Sequence, residues 1–165
     1  SDENQSGDET VQLAAFAVGE EEYVVDIMRV REILRPVPVT PVRRGPQFVE
    51  GVINLRGTVI PVVDLRRRFD LKADDHPRRR ILIVSIDGRL VGLVVDRVTE
   101  VVRTPRSAIR TAPALVGPER APYFLGICPH KGRTLILLNV KAVVASDEAI
   151  STPSAADLIE PPAPE

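Results

Sequence analysis

The chain contains no tryptophan, one methionine, one cysteine and two histidines, and only 4% of its 165 residues are aromatic. Each scarcity closes off a class of function. One cysteine cannot build an intramolecular disulfide framework, and it fits a reducing compartment. Two histidines and one cysteine fall short of the three or four ligands, with their supporting hydrogen bonds, that a metal site needs. No apolar run approaches the ~18–20 residues of a membrane span, so direct membrane insertion is not expected. A net charge of −1 gives no field for wholesale binding to nucleic acid or anionic lipid. Neither a Gly-x-x-x-x-Gly-Lys-Ser/Thr phosphate loop nor a Gly-x-Ser-x-Gly nucleophile elbow occurs. No catalytic, cofactor-binding or metal-binding residue is therefore assigned, and the chain is not read as an enzyme. Apolar residues make up 44% of the sequence, enough for a core. With so few aromatics that core must be mainly Val, Ile and Leu, types that suit strands.

What the chain does have is a passage that occurs twice. Residues 51–65, GVINLRGTVIPVVDL, align with residues 126–140, GICPHKGRTLILLNV, at a constant offset of 75 residues and without a gap. Gly51 falls on Gly126, Arg56 on Lys131, Gly57 on Gly132 and Asp64 on Asn139, and Phe48 and Phe124 precede the two copies. A strand, a turn with a cation before its glycine, and a second strand make a hairpin signature. Weaker echoes surround it. Phe16–Gly19 leads through a charged turn into Tyr23–Asp26, and Ile83–Ile86 leads through Asp87-Gly88 into Leu93–Asp96. Asp-Gly between apolar runs marks a hairpin, because glycine accepts positive φ without steric cost. The repeated order predicts a mostly all-β chain of two small barrel-like units of roughly 65–75 residues each.

Boundaries follow from composition. Residues 1–9 have no large apolar side chain and are unlike a signal peptide, and residues 149–165 are rich in Pro and acid; both are expected to be disordered tails. The folded domain spans about residues 10–148. Its first barrel covers about 10–76 and its second about 77–148, with strands free to exchange. The polar segment from Phe69 to Arg80 is the sequence junction. His76 within it is expected to be solvated, His130 to lie in a surface turn, and Cys128, which falls on Ile53 of the first copy, to be a small buried apolar residue. The runs Arg66–Arg68 and Arg78–Arg80 read as solvated strand ends or a protein interface. The segment Val25–Leu34 places Ile27, Val30 and Leu34 at helical spacing, which predicts a short amphipathic helix ended by Pro36. Pro36–Val42 must then run extended.

The order GEEEYVVDIMRVREI, FVEGVINLRGTVIPVVDL, GRLVGLVVDRVTEVV, YFLGICPHKGRTLILLNV resembles the CheW-type coupling proteins of bacterial chemotaxis. The resemblance covers about residues 10–146, and its most specific part is the Asn-Leu-Arg-Gly turn leading into Val-Ile-Pro-Val-Val-Asp-Leu. It implies two intertwined SH3-like five-stranded β-barrels. It also implies a cytoplasmic scaffold, recruited to membrane-associated receptor arrays, that joins the cytoplasmic tips of methyl-accepting chemoreceptors to the regulatory domain of a CheA-type histidine kinase. By position, Val30 and Ile33 match receptor-facing apolar residues, and Val101 matches the other wall of that groove. Glu32 and Arg56 match two charged positions at the same surface and are expected to form an ion pair that holds the turn. Val49, Glu50 and Gly51 match the kinase-facing surface. Exposed apolar walls would also favour weak self-association. The alternatives are a CheW-like protein that has lost or switched a partner and acts as a decoy or array component in a non-flagellar chemosensory pathway, and a nucleic-acid-binding double barrel, against which charge and aromatic content argue.

Overall fold

A computed structural model describes residues 8–43, 49–72, 76–111 and 121–145. The described strands are β1 (Thr10–Val18), β2 (Glu21–Asp26), β3 (Val30–Leu34), β4 (Val49–Leu55), β5 (Thr58–Asp64), β6 (Arg80–Ile86), β7 (Arg89–Val95), β8 (Arg97–Pro105), β9 (Phe124–His130) and β10 (Arg133–Leu138). Two short helices, α1 (Leu65–Arg68) and α2 (Val140–Val144), follow β5 and β10. The aromatic residue preceding the first repeat copy, Phe48, lies outside the described residues, as do residues 1–7 and 146–165. Asp8 and Glu9 are tied down: the Ser107 hydroxyl donates to Asp8 Oδ1 at 2.6 Å and the Arg106 amide to the Glu9 carbonyl at 2.8 Å.

The strands form two five-stranded sheets, in the orders β8-β1-β2-β10-β9 and β3-β6-β7-β5-β4. Replacing each strand of one half by its counterpart in the other converts the first order into the second. Each sheet therefore takes a hairpin from one half of the sequence (β1–β2 or β6–β7) and three strands from the other (β8–β10 or β3–β5). The junction near residue 76 separates the halves of the sequence but not the sheets. The exchange rests on four pairings between the halves, antiparallel β1 with β8 and β3 with β6, and parallel β2 with β10 and β5 with β7.

The duplication extends to local detail. The β4–β5 turn has Arg56 at φ 50° and Gly57 at φ 89°, and the β9–β10 turn has Lys131 at 49° and Gly132 at 78°. Two successive positive φ values in a two-residue loop make the mirror-image turn whose twist matches that of the strands. Asp64 caps α1 by accepting from the Arg66 amide, and Asn139 caps α2 by accepting from the Ala142 amide. Register shifts recur at matching places: Arg31 and Thr99 are the extra residues against β6 and β1, and Glu50 and Leu125 are the extra residues against β5 and β10. Such bulges bend a strand and increase its twist, which a small barrel requires.

Each sheet closes on itself through a bridge between described residues. Thr40 and Val52 exchange two backbone hydrogen bonds of 2.8 Å, which joins the chain after β3 to β4. Arg110 and Ile127 do the same at 2.9 and 2.8 Å, which joins the chain after β8 to β9. These bridges turn both sheets into SH3-like barrels. The proline-rich stretch supplies the first of them, and its stiffness lowers the entropy lost in closure.

Buried apolar residues fall into three groups. Leu13, Ala15, Val24, Val102, Cys128 and Leu135 fill one barrel, and Ile53, Ile60, Val62, Ile81, Ile83 and Val94 fill the other. Both interiors are aliphatic, and Cys128 is the small buried residue its place in the repeat predicts. The largest group lies between the barrels and draws on both sheets, with Phe16, Val18, Tyr23 and Val25 from one and Leu82, Val84, Leu93 and Val95 from the other. The described aromatics collect here: Tyr23 stacks on Phe16 at 5.9 Å and on Phe69 at 5.3 Å between ring centroids, with Phe124 at 5.9 Å. Tyr123 adjoins Phe69 at 5.9 Å. Phe69 is thus part of the shared core rather than of a polar junction.

The amphipathic helix expected over Val25–Leu34 is not formed. Only Ile27–Arg29 makes a single 3-10 turn, capped by the Asp26 carboxylate, between β2 and β3. β-Branched residues and the pairing of β3 with β6 decide against the helix. Burial along β3 alternates with a period of two, and Ile27 and Val30, placed by that path, still pack on the shared core.

Candidate docking surface

β3 and β8 are edge strands of different barrels, yet their side chains meet one core. Ile33 lies opposite Leu82, and Val101 lies opposite Ala14. Residues directly opposite across a ladder share a face of the sheet, and both Leu82 and Ala14 belong to the core between the barrels. Ile33 and Val101 therefore stand at the rim of that core, one on each barrel, at matching positions. Ile33 is 47% exposed and Val101 is 53% exposed. Val30, half-buried, continues the surface inward and packs on the core itself. The apolar core between the barrels thus reaches solvent at an edge strand of each barrel.

Glu32 points to the other face of β3, opposite Ile83. It receives Arg56 Nη2 at 2.5 Å and Nη1 at 3.3 Å, a two-point ion pair that ties the β4–β5 turn to β3. The expected pair is present, and it holds the turn against a strand rather than a helix. The Arg56 hydrogen bond holds the Glu32 carboxyl below the usual carboxylate range, and Glu32 raises the Arg56 guanidinium in return. The second barrel carries a counterpart that the sequence did not announce. Glu100 on β8 receives Arg133 Nη2 at 2.8 Å and lies 3.3 Å from His130 Nε2, while Arg133 Nη1 donates to Glu22 on β2. Arg133, chiefly by its hydrogen bond, and His130 hold the Glu100 carboxyl low. His130, expected on a bare surface turn, is therefore a partner of Glu100. In both barrels a carboxylate from the edge strand is clamped by a cation from the opposing hairpin.

Val49, Glu50 and Gly51 occupy the bulge at the start of β4. Glu50 Oε1 receives Arg79 Nη2 at 3.4 Å. Gly51 has φ 154°, and a Cβ added there would lie 2.1 Å from the Thr40 carbonyl oxygen. The barrel-closing bridge thus demands glycine at this position. Gly126 meets the same demand, with the Arg110 carbonyl oxygen 2.4 Å from its added Cβ. Leu125, the bulge residue matching Glu50, is 57% exposed. The repeat alignment could have pointed to it, since it pairs the two residues directly.

Of the two arginine runs, Arg66 alone is buried; Arg68, Arg79 and Arg80 are half-buried, and Arg67 and Arg78 are exposed. Asp64 is 1% exposed and Arg66 is 4% exposed. Asp64 accepts Arg66 Nε at 3.1 Å and Nη2 at 3.0 Å, and Arg66 Nη1 lies 3.8 Å from Asp96, whose other oxygen accepts the Gly19 amide at 2.7 Å. Burial opposes the Arg66 charge, but the hydrogen bond and charge of Asp64, with Asp96 and Glu50, outweigh it and raise its pKa. This network links α1 to the β1–β2 turn of the other barrel. Arg68 lies over the Tyr123 ring at 4.8 Å and donates to the Ala145 carbonyl at 3.0 Å. Among the described residues, no group of three His, Cys, Asp or Glu is arranged to hold a metal, and no helix is long and apolar enough to cross a membrane.

The model of the CheW-like domain family matches residues 12–148. The chain belongs to the CheW-like family. A chemotaxis protein CheW from Rhizobium meliloti is 37% identical over 138 residues, which are 83% of this chain and 89% of that protein. CheW from Klebsiella aerogenes is 36% identical over 138 residues, 83% of each chain. The crystal structure of the scaffolding protein TtCheW from Thermoanaerobacter tengcongensis superimposes with a TM-score of 0.78 at 32% identity, over 84% of this chain and 95% of that one. CheW-like membership fits a surface built of docking edges, and the chain is a chemotaxis coupling protein of this class.

Proposed function

We propose that this CheW-like chain bridges the cytoplasmic tip of a methyl-accepting chemoreceptor and the regulatory domain of a CheA-type histidine kinase. It acts at receptor arrays on the cytoplasmic side and works through contacts rather than catalysis. The observation that supports this most is the pair of exposed aliphatic residues, Ile33 and Val101, at matching places on two barrel edges, where the core between the barrels reaches solvent. An apolar surface borne on two barrel edges suits one helix of a receptor tip, with Val30, Ile33 and Val101 facing that helix and the Glu32–Arg56 pair beside it on the other face of β3. Val49 and Glu50, with Gly51 holding the backbone, form the kinase-facing surface, which lies on the β4 bulge. Receptor state would reach the kinase through differential contacts on one rigid body.

Calorimetry with separate partners tests the assignment. Ile33→Asp should weaken binding of the receptor tip at least tenfold and leave the kinase domain bound. Val49→Asp should do the reverse. Loss of both partners by either variant, in a folded sample, would contradict two separate surfaces.

A further inference from the structure

The rim of the groove carries unbalanced charge. Arg35 follows Leu34 and precedes Pro36, which holds it extended, so its side chain continues the face of Ile33 two residues earlier. Arg103 stands in the same relation to Val101 within β8. Both arginines are exposed. Neither has a salt bridge with any described residue, and the neighbouring carboxylates are already engaged: Glu32 by Arg56, and Glu100 by Arg133 and His130. Those two glutamates also point to the opposite faces of their strands. Each barrel edge therefore presents an exposed aliphatic residue followed by a guanidinium that has no ion pair among the described residues.

We infer that the helix this groove accepts carries acidic side chains beside its apolar stripe, placed to meet Arg35 and Arg103, and that this charge match selects among receptor tips. The inference rests on the groove's being the receptor dock and adds the chemistry of its occupant. Apolar contact alone discriminates poorly between helices that share a hydrophobic stripe, whereas like charges set against each other at a rim are disfavoured. Charges at a rim act over about a Debye length, about 10 Å at 0.1 M salt, so the selection is salt-dependent. Either arginine can fork onto a carboxylate in two-point fashion, which also fixes the register of the helix.

The test uses the full chain and soluble coiled-coil fusions of the cytoplasmic hairpin tips of the source organism's chemoreceptors. Tips with Asp or Glu flanking the apolar stripe should bind at least tenfold tighter at 50 mM than at 500 mM salt. The double substitution Arg35→Glu, Arg103→Glu should cost at least tenfold at low salt, and changing the tip's flanking acids to lysine should restore binding to that variant. Arg35→Lys with Arg103→Lys should retain most of the affinity. Ile33→Asp should abolish binding at every salt concentration. Binding that is lost with Ile33→Asp but indifferent to salt and to charge reversal would overturn the charge match and leave the groove standing. Binding that survives Ile33→Asp as well would overturn both. Circular dichroism of each variant separates these outcomes from misfolding.

Discussion

The Thr40 carbonyl oxygen occupies the place where a Cβ on Gly51 would stand, 2.1 Å away. Thr40 and Val52 close the barrel of β3–β7 by two hydrogen bonds, and only a residue without a side chain lets the strands approach so nearly. Gly51→Ala should destabilise the protein by at least ~2–4 kcal/mol, from overlap and from its φ of 154°. Gly126→Ala, with overlap against Arg110 but no positive φ, should cost less, about 1–3 kcal/mol. Urea unfolding of the two variants checks the order. A substitution at Gly51 is consequently a poor probe of kinase contact; Val49→Asp avoids that overlap but, because Val49 is half-buried against the shared core, is read together with an unfolding curve.

Arg66 and Asp64 are a buried ion pair whose cation also faces Asp96. Removing one member of such a pair leaves an uncompensated charge. Arg66→Met should cost about 3–5 kcal/mol, and adding Asp64→Leu should recover part of that loss. A double-mutant cycle by chemical denaturation measures the coupling.

Glu32 and Glu100 both have carboxyls held low by arginine hydrogen bonds. A depressed folded-state pKa gives stability that is fully present above the unfolded value, about 4.3, and is lost as pH falls through the lower folded value. The clamps should therefore hold at neutral pH and release in acid. The difference in thermal midpoint between the wild type and Glu32→Gln should be constant from pH 5.5 to 7 and shrink as pH falls below about 4. A difference that grows toward acid would contradict the assignment.

The shared core should be the most sensitive part of the molecule to aromatic truncation. Phe69→Ala removes a ring packed on Tyr23, Tyr123 and Phe124 and should cost about 3–5 kcal/mol. Its near-ultraviolet dichroism should fall sharply. Leu135→Ala, inside one barrel, should cost about 2–5 kcal/mol with little change in that signal, because its barrel interior is aliphatic.

Much of this was legible in the residues. Paired glycines, the cation before each turn glycine, and Asp64 matched to Asn139 disclosed the duplication, because turns and caps impose local demands that short-range sequence records. The Glu32–Arg56 pair followed from resemblance. The strand exchange was not legible in detail, because parallel pairing of β2 with β10 and of β5 with β7 joins segments far apart in sequence and leaves no local trace. The helical reading of Val25–Leu34 failed for the same reason: apolar spacing fits two periods in so short a run, and the ladder to β6 chose between them. Arg66 read as solvated because Asp96, which follows the β7 strand paired with β5, comes beside it only in three dimensions. Val101 and Ile33 fell in matching stretches of the two halves, but their common core became apparent only from the cross-strand register.

The central claim is that one chain holds receptor and kinase together. The direct measurement is sedimentation of a soluble receptor-tip fusion with the isolated kinase regulatory domain, in the presence and absence of this protein. The account predicts that the kinase domain co-sediments with the tip only when the protein is present, and that Ile33→Asp or Val49→Asp each breaks the three-part complex. A chain that binds one partner and excludes the other would contradict bridging and mark the protein as a competitor for that partner.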